Sequence, residues 1–263
     1  MRKLEIKNAY CEIEAASRYD SARSLPSETK TLWLVALKSA LSEQEISRVL
    51  DLGCGTGRFT QALSETFGCP AVGIEPSGAM LEVAMGKASG SETAIEWKQG
   101  QAEAIPLEAR SVDLVFMSQV FHHLANPRQA LEEIARVLTP GGYLAVRNGT
   151  REHNSELAWL RFFPEAGEIE EQRTPSAKEL QDFVCSQSPA KFGMISHQVI
   201  HQFFATSHAE YYEKISQRGL SALIAISDEA FQKGLEQLRH WVSLQPGGTA
   251  IFEPVDLFVF RKE

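Results

Sequence analysis

The amino-acid sequence predicts an α/β fold built around a mostly parallel sheet. Strand-like and helix-like segments alternate along residues 45–150, and a strand, a glycine-rich turn and a helix follow one another over residues 49–67. The chain has 263 residues, of which 43% are hydrophobic, so it can bury one large core. These observations favour one α/β domain with an insertion over two independent domains.

Five short apolar segments are predicted to be parallel strands, at residues 49–52, 71–74, 95–98, 111–117 and 143–147. Between them apolar residues recur at helical spacing, as Phe59, Leu63 and Phe67 do after the first strand. A helix is also expected at residues 27–41, before the first strand. Right-handed crossovers of this kind bring the carboxyl ends of the strands to one crevice, where ligands bind.

The second half of the chain is expected to complete the sheet. Before the fifth strand, Asn126 and Pro127 predict the start of a helix, and in the second half residues 176–179 form a capping box that opens another. Strands fit residues 199–206 and 255–261, and helices fit residues 208–226 and 228–244. If both strands join the sheet, the two helices form an insertion that covers the crevice as a cap.

Composition excludes several classes of function. The 26 Lys and Arg residues face 34 Asp and Glu residues, and no basic run follows a phosphate backbone, so nucleic acid is not an expected partner. Four cysteines (Cys11, Cys54, Cys69 and Cys185) have no CxxC or zinc-ligand spacing, so neither a disulfide framework nor a metal site is expected. No run of 18 apolar residues occurs, so we expect no membrane partner and a cytoplasmic location.

The turn at residues 53–57 has the features of a cofactor cradle. Its glycines precede a helix, whose N–H groups and positive end would face a ligand above the turn. The turn reads GxGxG, whereas the dinucleotide fingerprint reads GxGxxG, so the spacing does not favour a pyrophosphate. Glu75 ends the second strand, where a carboxylate can accept hydrogen bonds from both ribose hydroxyls. The pattern predicts a cofactor with a ribose and no pyrophosphate.

Residues 45–150 contain the motifs VLDLGCGTGRFT, GIEPSGAML, GQAEAIPL, SVDLVFMSQVFHHL and LTPGGYLAV in this order. Together they resemble the five motifs of the class I S-adenosylmethionine-dependent methyltransferases, within the type-11 group of small-molecule enzymes. VLDLGCGTGRFT is similar to the first motif of the family and GIEPSGAML to its acidic second-strand motif. GQAEAIPL resembles the adenine-side loop, SVDLVFMSQVFHHL the fourth-strand motif and LTPGGYLAV the fifth-strand motif. The resemblance implies S-adenosylmethionine as the cofactor, with S-adenosylhomocysteine as its product. It also implies a Rossmann-like three-layer sandwich, with a mostly parallel seven-stranded sheet, an antiparallel last strand and a helical cap insertion.

We expect three regions within one domain, of which the resemblance covers the second, at residues 45–150. Residues 1–44 would form an N-terminal lid and helix, and residues 45–150 the S-adenosylmethionine-binding core. Residues 151–263 would complete the sheet and form the substrate cap, with a helical insertion at about 208–246. The segment RYDSAR resembles the lid of this group, in which a tyrosine and an arginine close over the cofactor, and the matching positions are Tyr19 and Arg23.

The cofactor contacts follow from the same resemblance. Gly53, Gly55 and Gly57 would approach the methionine part, Asp51 would hold the amino group, commonly through water, and Glu75 would bind the ribose. The other expected cofactor contacts are Arg23, Cys54, Pro76, Ser77, Met80, Gln101, Ala102, Glu103 and Ser118. The family usually has an aspartate where this chain has Gln101, whose amide oxygen can still accept a hydrogen bond from the adenine amino group.

The sequence contains fewer motifs for the binding of the methyl acceptor than for the binding of the cofactor. We expect His123, Gln119 and Tyr19 nearest to the methyl group, with His123 either a catalytic base or, with His122, a residue that only positions backbone and cofactor. The candidates for substrate binding are His122, Arg147, Trp159, Phe163 and Tyr211. Arg147, Arg161 and Arg173 are candidates for a substrate carboxylate, since the arginine fork suits one. The alternative to substrate binding is a position in the core for each aromatic residue and an exposed position for each arginine.

The predicted reaction is transfer of a methyl group to an O, N, C or S nucleophile of a small organic molecule. Alignment of the nucleophile, the methyl group and the sulfur can contribute most of the acceleration. A non-catalytic S-adenosylmethionine-binding regulatory protein is the alternative, followed by a nicotinamide-dependent oxidoreductase. The expected partner is a small molecule, and the chain is expected to be a monomer or a homodimer.

Overall fold

A computed structural model describes residues 13–22, 25–41, 45–88, 94–188 and 190–263 of the chain. Seven strands in these residues form one sheet: β1 (Val49–Leu52), β2 (Ala71–Glu75), β3 (Ile95–Gln99), β4 (Val112–Ser118), β5 (Leu138–Asn148), β6 (Phe192–Ala205) and β7 (Ile251–Lys262). Their order across the sheet is β3-β2-β1-β4-β5-β7-β6. Strands β1 to β5 pair in parallel, and β7 runs antiparallel to both of its neighbours. The expected Rossmann-like sheet with an antiparallel last strand is confirmed.

The helices of the described residues are α1 (Ile13–Ala22), α2 (Ser27–Ala40), α3 (Thr60–Phe67), α4 (Gly78–Ala88), α5 (Pro127–Val137), α6 (Pro164–Arg173), α7 (Ala177–Ser186), α8 (His208–Ser216), α9 (Ser221–Ile224) and α10 (Asp228–Ser243). Short 3₁₀ turns occur at Phe121–His123, Arg151–Glu156 and Ala158–Arg161. None of the helices in this described part of the chain is long and apolar enough to cross a membrane.

Local capping signals begin the helices where the sequence predicts. The Asn126 side chain accepts a hydrogen bond from the Gln129 N–H at the start of α5, which has Pro127 in its first turn. At the start of α7 the Ser176 side chain accepts from the Glu179 N–H, and Glu179 accepts from the Ser176 N–H. These bonds satisfy N–H groups that have no partner inside the helix.

Two apolar clusters cover the two faces of the sheet. One packs α5 and α7 against one face through Ile134 and Leu180, together with Leu50 of β1. The other packs α2 and α3 against the opposite face through Trp33 and Leu63, together with Val49 of the same strand. Neighbouring residues of a strand point to opposite faces, so β1 contributes to both clusters. The result is a three-layer sandwich whose sheet is covered on both sides.

A third apolar cluster forms the core of the cap, which we define as residues 157–173 and 207–244. Trp159 and Phe163 pack there with Tyr211, Phe231 and Leu238. A continuous helix over 208–226 was the expectation, but the segment is divided into α8 and α9 at Arg218, which has a φ of 53°. The helix α6 was not predicted, and β6 begins at Phe192, seven residues before the expected strand.

Candidate active site

A cavity of about 360 Å³ lies at the carboxyl ends of β1, β2 and β4. We call the lining residues between 19 and 103 the cofactor half, and those between 118 and 255 the acceptor half. The cofactor half comes from α1 and from the turns after β1, β2 and β3. The acceptor half comes from the segments after β4 and β5, from the cap, and from β6 and β7. The cap therefore covers the crevice.

Most of the predicted site residues line this cavity. They are Tyr19, Gly53, Gly55, Glu75, Pro76, Ser77, Met80, Gln101, Ala102, Glu103, Ser118, Gln119, His122, His123 and Trp159. Arg23 lies outside the described residues, and so does Cys11. The remaining predicted residues are Asp51, Cys54, Gly57, Arg147, Phe163 and Tyr211, which lie beneath or beside the wall.

The glycine turn has the left-handed backbone that glycine adopts at low cost. Gly53, Gly55 and Gly57 have φ angles of 73°, 55° and 71°. A Cβ atom on Gly53 would lie 2.5 Å from a methyl carbon of Val120, whereas one on Gly55 would meet nothing within 4 Å. Gly53 is thus required by packing against the loop after β4. Gly55 exposes its backbone to the cavity.

Gly57 and Cys54 have packing environments rather than cavity contacts. A Cβ atom on Gly57 would lie 2.8 Å from the Trp97 ring, so this glycine lets β3 pack under the turn. Cys54 is 8% exposed, and its sulfur lies 3.1 Å from the position of a Cβ built on Gly73. Burial raises the pKa of the Cys54 thiol well above its ordinary value. Neither residue lines the cavity, and the expected contact of each with the cofactor stays a prediction.

Asp51 lies one layer below the cavity surface. Its side chain is buried and accepts a hydrogen bond of 2.7 Å from the Thr60 hydroxyl. Burial raises the pKa of Asp51 to about 7, against the opposing effects of the Thr60 hydrogen bond and the Arg58 charge. The carboxylate can therefore reach a ligand only through an intermediate group such as water, and its charge changes near neutral pH.

Glu75 connects the turns that follow β1 and β2. One carboxylate oxygen accepts from the Gly55 N–H at 3.1 Å, and the other accepts from the Ser77 N–H at 3.1 Å. Burial raises the pKa of Glu75, and the two backbone hydrogen bonds oppose that rise. A carboxylate has about four lone-pair sites, so these two bonds leave acceptor capacity toward the cavity.

The loop after β3 closes the edge of the cofactor half. The Ala104 N–H donates to the Gln101 carbonyl at 3.1 Å. One Glu103 carboxylate oxygen accepts from the Ala125 and Asn126 N–H groups at 2.7 and 3.1 Å. Glu103 thereby fixes the loop to the start of α5, and the Gln101 side chain is exposed.

Helix α1 lies over the glycine turn. Asp20 accepts from the Thr56 hydroxyl, and it forms an ion pair of 2.7 Å with Lys87 of α4. The Tyr19 hydroxyl accepts from the Arg58 guanidinium at 3.2 Å, and Tyr19 lines the cavity. Three contacts thus hold this helix against the segments that surround the cofactor half.

Two histidines face the acceptor half from the 3₁₀ turn after β4. The His122 and His123 rings lie 4.1 Å apart, and His122 Nδ1 lies 3.3 Å from Asn148 Oδ1. The His123 ring is surrounded by protein on most sides but remains exposed to the cavity. Its pKa is lowered to about 4, first by burial and then by the charge of Arg173, so His123 is neutral at physiological pH.

Gln119 links the ends of β4 and β5. Its N–H donates to the Arg147 carbonyl at 2.7 Å, and its side-chain oxygen accepts from the Gly149 N–H at 3.3 Å. Its φ of 60° is unusual for a residue other than glycine. A strained backbone conformation of this kind persists only where the surrounding contacts hold it in place. Here it orients the following turn, so that His122 and His123 line the cavity.

Three predicted substrate residues lie behind the wall, which corrects the expectation of direct contact. The Arg147 guanidinium donates to Ser118 Oγ at 2.9 Å and to Gln202 Oε1, and lies over the Trp33 ring. Phe163 and Tyr211 belong to the core of the cap, where the Tyr211 hydroxyl accepts from the Trp159 N–H at 2.9 Å. Each is at most 2% exposed, because it packs within the protein rather than against the cavity.

Sequence reasoning missed several polar residues of the acceptor half as site residues. They are Thr150, His153, Asn154, Glu170, Gln202, Ser221 and Glu253. None lies in a motif, because they come from five separate segments that only the fold brings together. Within the described residues, no group of three or more His, Cys, Asp or Glu side chains could hold a metal ion.

Comparison with known families agrees with this geometry. Residues 50–146 match the family described as a methyltransferase domain. This part of the chain is a methyltransferase domain. An uncharacterized methyltransferase of Mycobacterium tuberculosis is 41% identical over 122 residues, which cover 46% of each chain. Demethylmenaquinone methyltransferase of Clavibacter sepedonicus is 34% identical over 134 residues, 51% of this chain and 54% of that protein. The chain thus spans about half the length of the curated relatives it matches.

Solved structures extend the likeness in fold beyond the methyltransferase domain. An Anabaena variabilis protein assigned to methyl transfer in an antibiotic biosynthesis pathway has a TM-score of 0.68 at 19% identity, covering 89% of this chain and 99% of that one. The cyclase SpnF has a TM-score of 0.62 at 17% identity, covering 92% and 84%. At these identities the likeness shows the fold alone. Most of the acceptor half lies outside the methyltransferase domain match.

Proposed function

We propose that this chain is an S-adenosylmethionine-dependent methyltransferase that transfers a methyl group to a small organic molecule. The observation that supports the proposal is a single cavity that joins two chemically different halves. Gly53, Gly55 and Glu75 form one end, and the other end is a polar chamber beneath the cap. A donor and an acceptor can therefore meet within one cavity.

The residues of the cofactor half fit S-adenosylmethionine. The space above Gly55 allows close approach to the backbone, and Glu75 retains acceptor capacity for ribose hydroxyls. Asp51 adds a carboxylate below the turn for the amino group, and Gln101 and Ala102 line the cavity and would contact the adenine edge. The GxGxG spacing separates this arrangement from a dinucleotide site.

The bound cofactor would supply an activated sulfonium methyl group, so the protein has to align the acceptor and exclude water. Trp159 and Leu220 of the cap line the cavity and shield it from solvent. His122 Nδ1 lies 3.3 Å from Asn148 Oδ1, and in the tautomer that donates this hydrogen bond the lone pair of the ring is on Nε2. We therefore prefer His122 over His123 as the group that takes a proton when the acceptor must lose one.

Thermal unfolding with S-adenosylhomocysteine and with NAD tests the cofactor. A ligand at about 100 times its dissociation constant stabilises the folded protein by about 2.7 kcal/mol. We expect S-adenosylhomocysteine to raise the melting temperature and NAD to leave it unchanged. Stabilisation by NAD alone would contradict the proposal.

A screen of candidate acceptors separates an enzyme from a regulatory protein that only binds the cofactor. The readout is S-adenosylhomocysteine formed from S-adenosylmethionine, compared with the same screen on His122→Ala. We expect product with at least one small molecule and slower turnover in the variant. Tight cofactor binding without product from any acceptor would favour the regulatory alternative. Light scattering checks the further prediction of a monomer or a homodimer.

A further inference from the structure

Three arginines are candidates for holding a substrate carboxylate, and the structure separates them. Arg161 is exposed and does not line the cavity. Arg147 is buried behind the wall, where it holds Ser118 and Gln202. Arg173 lines the cavity from the last turn of α6. Of the three, Arg173 is therefore the arginine placed to contact an acceptor.

Two neighbours fix the orientation of the Arg173 guanidinium. Its Nε donates to Glu170 Oε2 at 3.1 Å, its Nη2 donates to Glu170 Oε1, and its Nη1 donates to Ser221 Oγ at 2.8 Å. A guanidinium has five N–H donors, so these bonds among the described residues leave one on Nη1 and one on Nη2. Those two donors suit the two oxygens of a carboxylate. Because the group is held in advance, little entropy is lost when a ligand binds it.

The Glu170 carboxylate has fewer hydrogen-bonding sites left for a ligand than the Arg173 guanidinium has. It accepts two bonds from Arg173 and one of 2.9 Å from the Thr174 hydroxyl, which fills three of about four lone-pair sites. The side chains of Glu170 and Arg173 are each 14% exposed. The pKa of His123 is lowered more by Arg173 than it is raised by Glu170. The pair therefore offers more hydrogen-bond donors than acceptors to a ligand in the cavity.

We propose that Arg173 determines acceptor specificity and that the acceptor is a small molecule with a carboxylate, bound by Nη1 and Nη2 of Arg173. This inference rests on the proposed methyl-transfer function and adds the chemical class of the acceptor. An amine-bearing acceptor is the rival, since Glu253 also lines the cavity from β7. The demethylmenaquinone methyltransferase aligns with only about half of this chain, so its substrate does not determine the class of acceptor proposed here.

Binding to the complex with S-adenosylhomocysteine tests the inference without a known acceptor. The probes are benzoate, benzamide and benzylamine, together with hexanoate, hexanamide and hexylamine. Each set has one skeleton and differs only in the polar group. We expect at least one carboxylate to bind at least tenfold more tightly than its amide and its amine. Binding of neither carboxylate, or equal or tighter binding of the amides or amines, would overturn the inference.

Variants locate the binding to the guanidinium. Arg173→Gln should weaken carboxylate binding at least tenfold and leave the affinity for S-adenosylhomocysteine unchanged. Glu170→Gln should tighten carboxylate binding several-fold, because it removes a negative charge beside the site. Arg161→Gln is the matched control and should change neither affinity. Two results would overturn the assignment. One is unchanged carboxylate affinity in Arg173→Gln, and the other is an equal loss of carboxylate affinity in Arg173→Gln and Glu170→Gln.

The two proposals fail in different ways. Titration with S-adenosylhomocysteine alone comes first, and absence of binding contradicts the proposed function. Binding of S-adenosylhomocysteine without preference for carboxylates contradicts only the acceptor class. If Arg173→Gln does not fold, Glu170→Gln and Ser221→Ala still test the site, the latter with an expected several-fold loss of carboxylate affinity.

Discussion

The two halves of the cavity are built differently. The cofactor half comes mainly from the turns after three consecutive parallel strands, as at Gly53, Glu75 and Gln101. The acceptor half comes from long polar side chains on the cap and on β6 and β7, as at Arg173, Gln202 and Glu253. Turns after parallel strands have fixed positions because the sheet fixes them. The acceptor half can vary while the sheet stays the same.

This difference explains why the methyl donor is easier to infer than the acceptor. The methyltransferase domain match ends at residue 146, before Thr150, Glu170, Arg173 and Ser221. Function on a shared fold depends on the side chains that the fold presents. The acceptor therefore has to be argued from hydrogen bonds and charges in this chain.

Replacing Gly53 by alanine should produce the largest effect on the cofactor half. The new Cβ would lie 2.5 Å from Val120 at a φ of 73°, and such strain with overpacking costs about 2 to 5 kcal/mol. We expect loss of S-adenosylhomocysteine binding by calorimetry and a lower melting temperature. Gly86→Ala is the control, since its Cβ would meet nothing within 4 Å. Wild-type binding in Gly53→Ala would remove the turn from the site.

Asp51 should make stability and cofactor binding depend on pH in opposite directions. Its pKa is raised from 3.8 to about 7, so the stability of the folded state falls as pH rises between those values. Asp51→Asn should remove this dependence and stabilise the free protein at pH 8 by as much as about 4 kcal/mol, at about 1.4 kcal/mol per pKa unit. Wild-type affinity for S-adenosylhomocysteine should rise through pH 7 and that of the variant should not. Parallel pH curves for both proteins would show that Asp51 does not titrate here.

Glu75→Gln should weaken the binding of S-adenosylhomocysteine without unfolding the protein. A hydrogen bond to a charged group contributes about 1.5 to 3 kcal/mol, which corresponds to one to two orders of magnitude in affinity. Glu82→Gln, on the exposed side of α4, is the matched control. An unchanged dissociation constant in Glu75→Gln would place the ribose elsewhere.

The smallest expected effect is electrostatic and lies in the acceptor half. The His123 imidazole should titrate near pH 4 by NMR, below its ordinary value of 6.5. Arg173→Gln should raise that pKa and Glu170→Gln should lower it further, whereas Arg161→Gln should leave it unchanged. If the pKa of His123 does not respond to Arg173→Gln, the imidazole and the guanidinium do not interact electrostatically, which would contradict the placement of Arg173 beside His123.

Much of the fold could be predicted from local sequence signals. The Asn126 cap and the capping box at Ser176 and Glu179 are confirmed because such bonds need only neighbouring residues. The buried strands β1 and β4 are confirmed because they are short runs in which apolar residues predominate. The turn glycines are identifiable because their backbone angles exclude most other residues.

Other elements carry weak signals in the sequence. Helix α6 (PEAGEIEEQR) buries only Ala166 and lacks an apolar stripe, so periodicity could not reveal it. The early part of β6 has many exposed and half-buried side chains, which hid its start at Phe192. Arg147 and Tyr211 were expected in the wall because residue type cannot show which side of a wall a side chain occupies. Glu170 and Ser221 are far apart in sequence, and only the cap brings them to Arg173.

The most direct test of two separate halves is a crystal structure of the complex with S-adenosylhomocysteine. The ribose should contact Glu75, the homocysteine part should lie over Gly53 and Gly55, and the sulfur should point toward His122 and Arg173. The acceptor half should remain open to a second ligand. A ligand that fills the chamber beneath the cap, or that leaves the glycine turn without contact, would contradict this account.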